Sequence, residues 1–242
     1  MVKTSTINIT DDKKKYNNTT VIIPTLNERK NIGELLEIIA SSYPGIKVIV
    51  ADDNSKDGTQ EIVSGISEKN RDIKLLERKS GPKGLTASVI RAFKESQTKY
   101  TLVIDGDLQH PPEKIKEIVK ALGRYYIVVG RRRSVADWRL DRRIMSSVAT
   151  MLAKSRLMFK KTRCNDIMSG FFGMKTDIFK ESLERSEDSY EHEGYKVLFD
   201  FLKQNKKRLS LKEIDYDFGM RHNGDSKIGI RQIKAFLRSL FK

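Results

Sequence analysis

The sequence predicts an α/β fold with a mixed, mainly parallel central sheet flanked by helices and with amphipathic helices toward the C-terminus. Three observations lead there. Short apolar, β-branched runs alternate with helix-patterned segments from Val21 to Val129, which is the order of βαβ units with right-handed crossovers. Polar, acidic stretches follow the second and fourth runs, where ligands bind in such sheets. A length of 242 residues suffices for one substantial core.

Residues 1–18 are rich in Thr, Asn and Asp and contain Lys13-Lys14-Lys15, which predicts a disordered polar tail. Val21–Ile23 then reads as a strand and Ile32–Ile39 as a helix. Val48–Ala51 is a strand, Gln60–Ile66 a helix, Ile73–Leu76 a strand and Leu85–Glu95 a helix. Tyr100–Ile104 is a buried strand, Pro112–Leu122 a helix opened by proline, and Tyr126–Val129 a strand. The second half reads differently. Arg142–Lys161 is basic, with Ile144, Met145, Val148, Met151, Leu152, Met158 and Phe159 near helical spacing. After Asp166-Ile-Met-Ser-Gly-Phe-Phe172 come a helix over Tyr195–Gln204 and a strand over Leu211–Tyr216. Ile228–Lys242 interleaves apolar residues with Lys227, Arg231, Lys234, Arg238 and Lys242 as a basic amphipathic helix. That pattern suits either packing on the core or an anionic lipid surface, and the basic balance favours the membrane. The chain divides into a tail at 1–18, a catalytic domain at 19–220 and a basic loop with a membrane-proximal helix at 221–242.

Lys and Arg number 47 against 32 Asp and Glu, a net charge of +15, so anionic partners are expected. Sparse aromatics and dispersed cations argue against a nucleic-acid groove. Cys164 is the only cysteine, which excludes an intrachain disulfide. None of His110, His192 and His222 adjoins it, so a catalytic thiol is not favoured. The polar N-terminus is no signal peptide and no run of ~18 apolar residues exists. The cytoplasm is the expected compartment.

The most informative residues are Asp105-Gly106-Asp107-Leu108-Gln109. If the strand before them continues, residues i and i+2 point one way, so Asp105 and Asp107 present paired carboxylates, with the Gln109 amide oxygen nearby. A solvated acidic loop is the plainer alternative, but two adjacent carboxylates repel and call for a counter-ion. Hard oxygens suit Mg²⁺ or Mn²⁺ carrying a diphosphate. Asp52-Asp53-Asn54-Ser55-Lys56-Asp57-Gly58 is partly turn and cap chemistry, with Asp57 as the cap. Asp53 suits the imino and amino protons of a nucleobase. Pro24–Glu28 forms a wall of the same pocket, or simply a turn opening a helix. Lys83-Gly84 before a helix is a weak phosphate signal. Neither GxxxxGK[ST] nor GxGxxG occurs. Arg131, Arg132, Arg142, Arg221 and Lys227 are candidate phosphate contacts.

Val21-Ile-Ile-Pro-Thr-Leu-Asn-Glu28, Asp52–Thr59, Asp105-Gly-Asp-Leu-Gln-His-Pro-Pro112, Ser169-Gly-Phe-Phe172 and Phe218-Gly-Met-Arg221 with Ser226-Lys227 together resemble the inverting family 2 glycosyltransferases. They look most like the dolichyl- (polyprenyl-) phosphate mannosyltransferase branch, and the resemblance runs from about residue 20 to 230. It implies a GT-A fold and metal-dependent transfer of a hexose, by preference mannose from GDP-mannose, to a lipid-carried phosphate with inversion. By position it implies donor contacts at Pro24, Leu26, Glu28, Ala51, Asp53, Gly106 and Asp107, with Asp166 and Ser169 at the sugar. Asp105, Asp107 and Gln109 would hold Mg²⁺ or Mn²⁺. Arg132 or its neighbour Arg131, with Arg142, Arg221 and Lys227, would meet the phosphates; Asp105, Asp107, Arg132 and Arg221 form the catalytic set. Leu26 stands where the family often has Tyr, so aromatic support for the base is missing. Some relatives continue into transmembrane helices; this chain, ending at Lys242, is either of the membrane-peripheral type, on the cytoplasmic face, or cut before such a segment. A phosphate acceptor is already anionic, so positioning cations rather than a general base complete the site. The alternatives are a UDP-glucose-dependent polyprenyl-phosphate transferase and a non-catalytic basic membrane- or nucleic-acid-binding module.

Overall fold

A computed structural model describes residues 15–133, 140–158, 160, 162–205, 207–219 and 229–242, with the backbone alone described for 140–146 and 230. Seven strands form one sheet in the order β3-β2-β1-β4-β6-β5-β7. The strands are β1 (Thr19–Thr25), β2 (Lys47–Asp52), β3 (Ile73–Glu77), β4 (Tyr100–Val103), β5 (Ile127–Arg132), β6 (Phe172–Lys175) and β7 (Leu211–Tyr216). The helices are α1 (Arg29–Ser42), α2 (Thr59–Lys69), α3 (Leu85–Glu95), α4 (Ile115–Leu122), α5 (Leu140–Leu157), α6 (Thr176–Ser186), α7 (Val197–Gln204) and α8 (Ile230–Phe241).

β1 lies between β2 and β4, parallel to both, and is buried along its whole length. That is why its residues read as an unbroken apolar run rather than an alternating one. Successive side chains still divide between the two faces. Val21 and Ile23 join Leu35, Leu36, Val63 and Ile118 from α1, α2 and α4 on one face. Ile22, Ile49 and Val103 join Val89, Phe93, Phe179 and Phe199 from α3, α6 and α7 on the other. The predicted strands and helices of the first half are all present, within a few residues at their ends. The helix expected from Pro112 opens as a 3-10 turn, Pro112–Lys114, before α4.

Two elements escaped the sequence pattern. β6 is a four-residue strand, Phe-Gly-Met-Lys, too short to show a period. It is antiparallel to both β4 and β5 and inserts between them. Gly173 is needed there, because a Cβ would stand 3.0 Å from Ile118, Leu102 and Leu122 side chains. α6 is mostly polar and holds to the core through Phe179 and Leu183, one turn apart. Tyr16 also departs from expectation. It belongs to the segment read as a disordered tail, yet it is buried edge-on against Tyr43, with ring centroids 5.1 Å apart.

Candidate active site

The carboxyl ends of β1, β2 and β4 bring three loops together. Asp52, wholly buried, organises the first two: Thr25 Oγ1 (2.8 Å) and Ser55 Oγ (2.5 Å) donate to its Oδ2, and the Ser55 N–H (2.8 Å) and Gln60 Nε2 (2.6 Å) to its Oδ1. The Asn27 N–H donates to Ser55 Oγ and the Glu28 N–H to Thr59 Oγ1. The N-cap of α2 is Gly58, not Asp57; Asp57 stands one residue before it, accepts the Thr59 N–H that opens the helix, and by accepting the Arg29 N–H also ties down the start of α1. Pro24 lies within β1 opposite Ala51, which is completely buried in the core. The Ala51 side chain therefore packs in the core beneath this wall, so the donor contact implied by resemblance would fall to its backbone. Leu26 is exposed at the rim.

Asp53 is engaged more heavily than the sequence suggested. Arg78 Nη1 donates to its Oδ1 and the Gly84 N–H to its Oδ2, both at 2.8 Å. Arg78 also donates to Ser88 Oγ and to the Pro82 carbonyl. Burial works to lower the Arg78 pKa, and the Asp53 charge opposes it. The phosphate-contact idea for Lys83-Gly84 fails on the same network. The first N–H groups of α3 are already spent, Thr86 on Gly194 O and Ala87 on His192 O. Gly84 itself sits at φ +144°, and a Cβ there would come 2.7 Å from the His192 carbonyl.

β4 ends at Val103, so Asp105 and Asp107 do not follow strand alternation. They lie in a sharp turn in which Leu108 takes φ 62°. Their environments differ: the Asp105 side chain is 33% exposed, whereas Asp107 is 4% exposed and accepts the Gln109 N–H. The Gly106 Cα faces Glu28 Cγ and Thr25 Cγ2 at about 3.5 Å and 3.4 Å from where a Cβ would stand, which joins this turn to the first loop. Gln109 clasps the segment after β7: its Nε2 donates to Gly219 O, and the Gly219 N–H returns a bond to Gln109 O, both at 3.0 Å.

His110, unmarked as a site residue by the sequence, supports the acidic turn from below. It is buried, stacks on Phe171 at 5.3 Å, and meets Tyr216 and Phe218 edge-on. Its Nδ1 accepts the Asp105 N–H at 3.2 Å. Burial brings its pKa down to about 4, so the ring is neutral and Nδ1 is available as an acceptor.

β5 and β6 close the other side. Consecutive residues of β5 point to opposite faces. Arg132 forms a two-pronged pair with Asp166, Nε and Nη2 donating at 2.9 and 2.7 Å. Burial disfavours charge on both partners, and the pairing outweighs it: the Arg132 pKa is raised, with a contribution from Asp105, and the Asp166 pKa is lowered. Glu213 of β7 holds the Asn165 and Asp166 N–H groups at 2.8 and 3.0 Å. Arg131 instead makes a fork with Asp215 at 2.6 and 2.8 Å. Between the two neighbours, the Arg132 charge is the one felt at His110. Lys196 Nζ, also missed from sequence, donates to Met168 O at 2.8 Å and adds positive charge beside Asp166. Ser169, implied as a sugar contact, is engaged within the protein. Its hydroxyl is buried and donates to Gly130 O at 2.7 Å while accepting the Phe171 N–H, so it joins β5 to the start of β6. The Arg142 side chain, Arg221 and Lys227 lie outside the described residues. Burial raises the Cys164 thiol pKa well above its ordinary value, which disfavours the reactive thiolate.

Among the described residues no three His, Cys, Asp or Glu side chains gather as a metal cluster. Asp105 and Asp107, with the Gln109 amide oxygen, are nonetheless hard donors confined to one turn. That set suits a cation that keeps most of its coordination for water and phosphate oxygens.

The glycosyl transferase family 2 model matches residues 20–183. A dolichol-phosphate mannosyltransferase of Mycosarcoma maydis is 33% identical over 235 residues, covering 91% of this chain and 76% of the relative. One from Saccharomyces cerevisiae is 30% identical, covering 91% and 84%. One from Pyrococcus furiosus is 34% identical over 92% of this chain, which spans only 62% of that relative. Among solved structures, glucosyl-3-phosphoglycerate synthase from Mycobacterium tuberculosis with Mn²⁺, UDP-glucose and phosphoglyceric acid aligns at TM-score 0.63 and 16% identity, covering 93% of this chain and 80% of that one. A Pyrobaculum calidifontis mannosyltransferase with GDP-Man and Mn²⁺ aligns at TM-score 0.55 and 21% identity, covering 82% and 55%. The architecture is the GT-A fold, and with the family match spanning the first six strands, the chain belongs to glycosyl transferase family 2.

Proposed function

We propose that the protein transfers a mannosyl group from GDP-mannose to a dolichyl- or polyprenyl-class phosphate, with inversion and with a divalent cation, Mg²⁺ or Mn²⁺. The observation that carries this is the acidic turn Asp105–Gln109, locked under β4 by His110 and faced by the Arg132–Asp166 pair. Similarity to dolichol-phosphate mannosyltransferases over more than nine-tenths of the chain favours mannose over the UDP-glucose alternative.

Asp105 and Asp107, with Gln109, would hold the cation, which when bound neutralises charge developing on the departing diphosphate. Glu28 and the Gly106 backbone form the floor on which the donor rests. Asp53 is held by Arg78, so a nucleobase contacting it approaches a paired carboxylate whose position is already set. Arg132 keeps its charge while Asp166 fixes its orientation, and a phosphate entering beside it shares the guanidinium with Asp166. Arg131, Arg142, Arg221 and Lys227 are proposed to complete the acceptor-phosphate contacts. The acceptor oxygen is anionic at neutral pH and needs no proton acceptor.

The acceptor's lipid tail calls for a membrane-facing surface. α5 exposes Val148, Met151 and Leu152, with Met158 just beyond its end, and α8 exposes Ile233, Leu237 and Phe241. The two helices touch where Arg156 Nε donates to Leu240 O at 3.1 Å. No helix among the described residues is long and apolar enough to cross a membrane. We therefore place the chain as a peripheral protein on the cytoplasmic face of an anionic membrane, lying along α5 and α8. Mannosyl transfer to a short polyprenyl phosphate, measured with GDP-mannose and UDP-glucose in parallel, tests the reading. Asp107→Ala is expected to abolish transfer in a folded protein; undiminished turnover in that variant would exclude the acidic turn as the metal site.

A further inference from the structure

At the opposite end of the sheet from Asp105 lies a recess of about 1090 Å³. It is lined by Tyr126, just before β5, by Leu209, Ser210 and Leu211 at the start of β7, and by Lys160, Arg163 and Arg208. Among the described residues no carboxylate lines it. Glu213, two residues along β7 from Leu211, is turned to Asn165 and Asp166. Lys175 adds a further cation over the Tyr126 ring, 4.3 Å from its centroid. Arg163, Arg208 and Ser210 are exposed. Cations of one sign lining an open recess, with a hydroxyl and an aromatic face, suit a compact oxyanion.

The recess is separate from the candidate active site. The six residues of β5 place its two ends roughly 20 Å apart. It adjoins the surface assigned to the membrane. α5 has 18 residues, about 27 Å of helix, and Lys160 and Arg163 follow its C-terminus by only a few residues. Met158, between them and the helix, is 69% exposed. The last turn of α5 carries Arg156, whose Nε donates to Leu240 O, so the recess end of α5 is also where α8 packs.

We propose that this recess is a second anion site, which takes the phosphate of an anionic lipid headgroup when α5 lies on the bilayer. The proposal rests on the membrane-contact reading above. It gives the protein an anchor at the opposite end of the sheet from the acidic turn, next to the exposed apolar residues of α5, which limits how the catalytic cleft can tilt against the membrane.

Binding of the full chain to phosphatidylcholine vesicles, with and without phosphatidic acid, tests this. The variants are Arg163→Ala/Arg208→Ala and, as a control of equal charge change, Lys69→Ala/Arg71→Ala, whose residues are exposed at the far edge of the sheet. The recess variant is expected to lose about 30-fold in affinity for the phosphatidic-acid vesicles, the effect of two cations near an anionic leaflet. The control is expected to change by less than about 3-fold, and neither to change binding to phosphatidylcholine alone. Equal losses in the two variants would assign the effect to diffuse charge and overturn the site. Calorimetric titration with inorganic phosphate separates the sources: phosphate binding lost in the recess variant while vesicle affinity stays unchanged would overturn the lipid assignment. Transfer to a detergent-dispersed short acceptor reports on the catalytic reading alone. It is expected to be unchanged in both variants, and its absence in wild type would sink that reading without touching the vesicle result.

Discussion

Gly170 offers a direct probe of how Asp105 is placed. A Cβ built there stands 3.1 and 3.2 Å from the two Asp105 carboxylate oxygens and 3.4 Å from His110 Cε1. Its backbone is not in the left-handed region, so Gly170→Ala adds no conformational strain. His110 is packed against Phe171 and cannot recede, whereas Asp105 is one-third exposed and can. The carboxylate therefore moves by a few tenths of an ångström. A displacement of 1 Å in a reacting constellation costs about 100-fold, so a shift of about 0.3–0.5 Å costs roughly 4- to 10-fold. That is about 0.8–1.4 kcal/mol of transition-state stabilisation. The loss should appear as lower kcat/KM and as a higher Mn²⁺ concentration for half-maximal rate, with thermal stability nearly unchanged. Initial rates across a Mn²⁺ series, with a melting curve on the same sample, measure both. An unaltered metal series would refute the placement of Asp105 at a cation. A drop in melting temperature large enough to explain the lost rate would refute the local mechanism.

Other expected outcomes follow from named contacts. Lys203 and Asp200 form an ion pair with side chains 2% and 1% exposed, and Ser239 of α8 donates to the same Asp200 oxygen at 2.5 Å. Lys203→Met leaves the carboxylate unpaired and should cost about 3–5 kcal/mol in denaturant titrations, with Asp200→Asn/Lys203→Met recovering much of it. A single-variant loss below about 1 kcal/mol would mean that the pair does not hold α8. Burial works to raise the Asp57 carboxyl, but hydrogen bonds from Thr59 and from the Arg29 N–H outweigh it and leave its pKa below the ordinary 3.8. A carboxyl lowered by folding stabilises the protein above its unfolded pKa and loses that contribution as pH falls through the folded value. Asp57→Ala should therefore cost about 1 kcal/mol at neutral pH and close to nothing in strong acid, as urea midpoints at several pH values will show. Chelation of divalent cations should stop mannosyl transfer and addition of Mn²⁺ restore it; transfer persisting after chelation would exclude a cation role for the acidic turn.

Much of the site was legible because its parts follow strands in the sequence itself. Asp53 and Asp105 stand just past runs that a buried parallel strand requires, and the loops of such strands gather at one end of the sheet. Turn chemistry was legible in part: Asp57 receives the first N–H of α2, although the N-cap itself is Gly58. The sequence is less informative where one residue type serves several partners. Ser169 has the character of a polar pocket residue, yet its hydroxyl is consumed by the Gly130 and Phe171 backbones. Lys83-Gly84 has the character of a phosphate loop, yet its helix is capped from residues 192 and 194, a hundred positions away. The strand-alternation argument for Asp105 and Asp107 failed because β4 stops one residue before Ile104, and a turn has no period.

The amino-acid order alone determined the α/β class, the succession of strands and helices through β5, and the positions of the acidic and basic loops of the candidate site, since local periodicity and turn residues encode all three. The tertiary structure alone decided that β6 enters antiparallel between β4 and β5, carrying Gly170 to Asp105 and bringing Asp166 to Arg132 rather than Arg131. Four residues carry too little pattern to announce a strand, and which edge they join is settled by packing against side chains some fifty to seventy positions distant, such as Leu102 and Ile118.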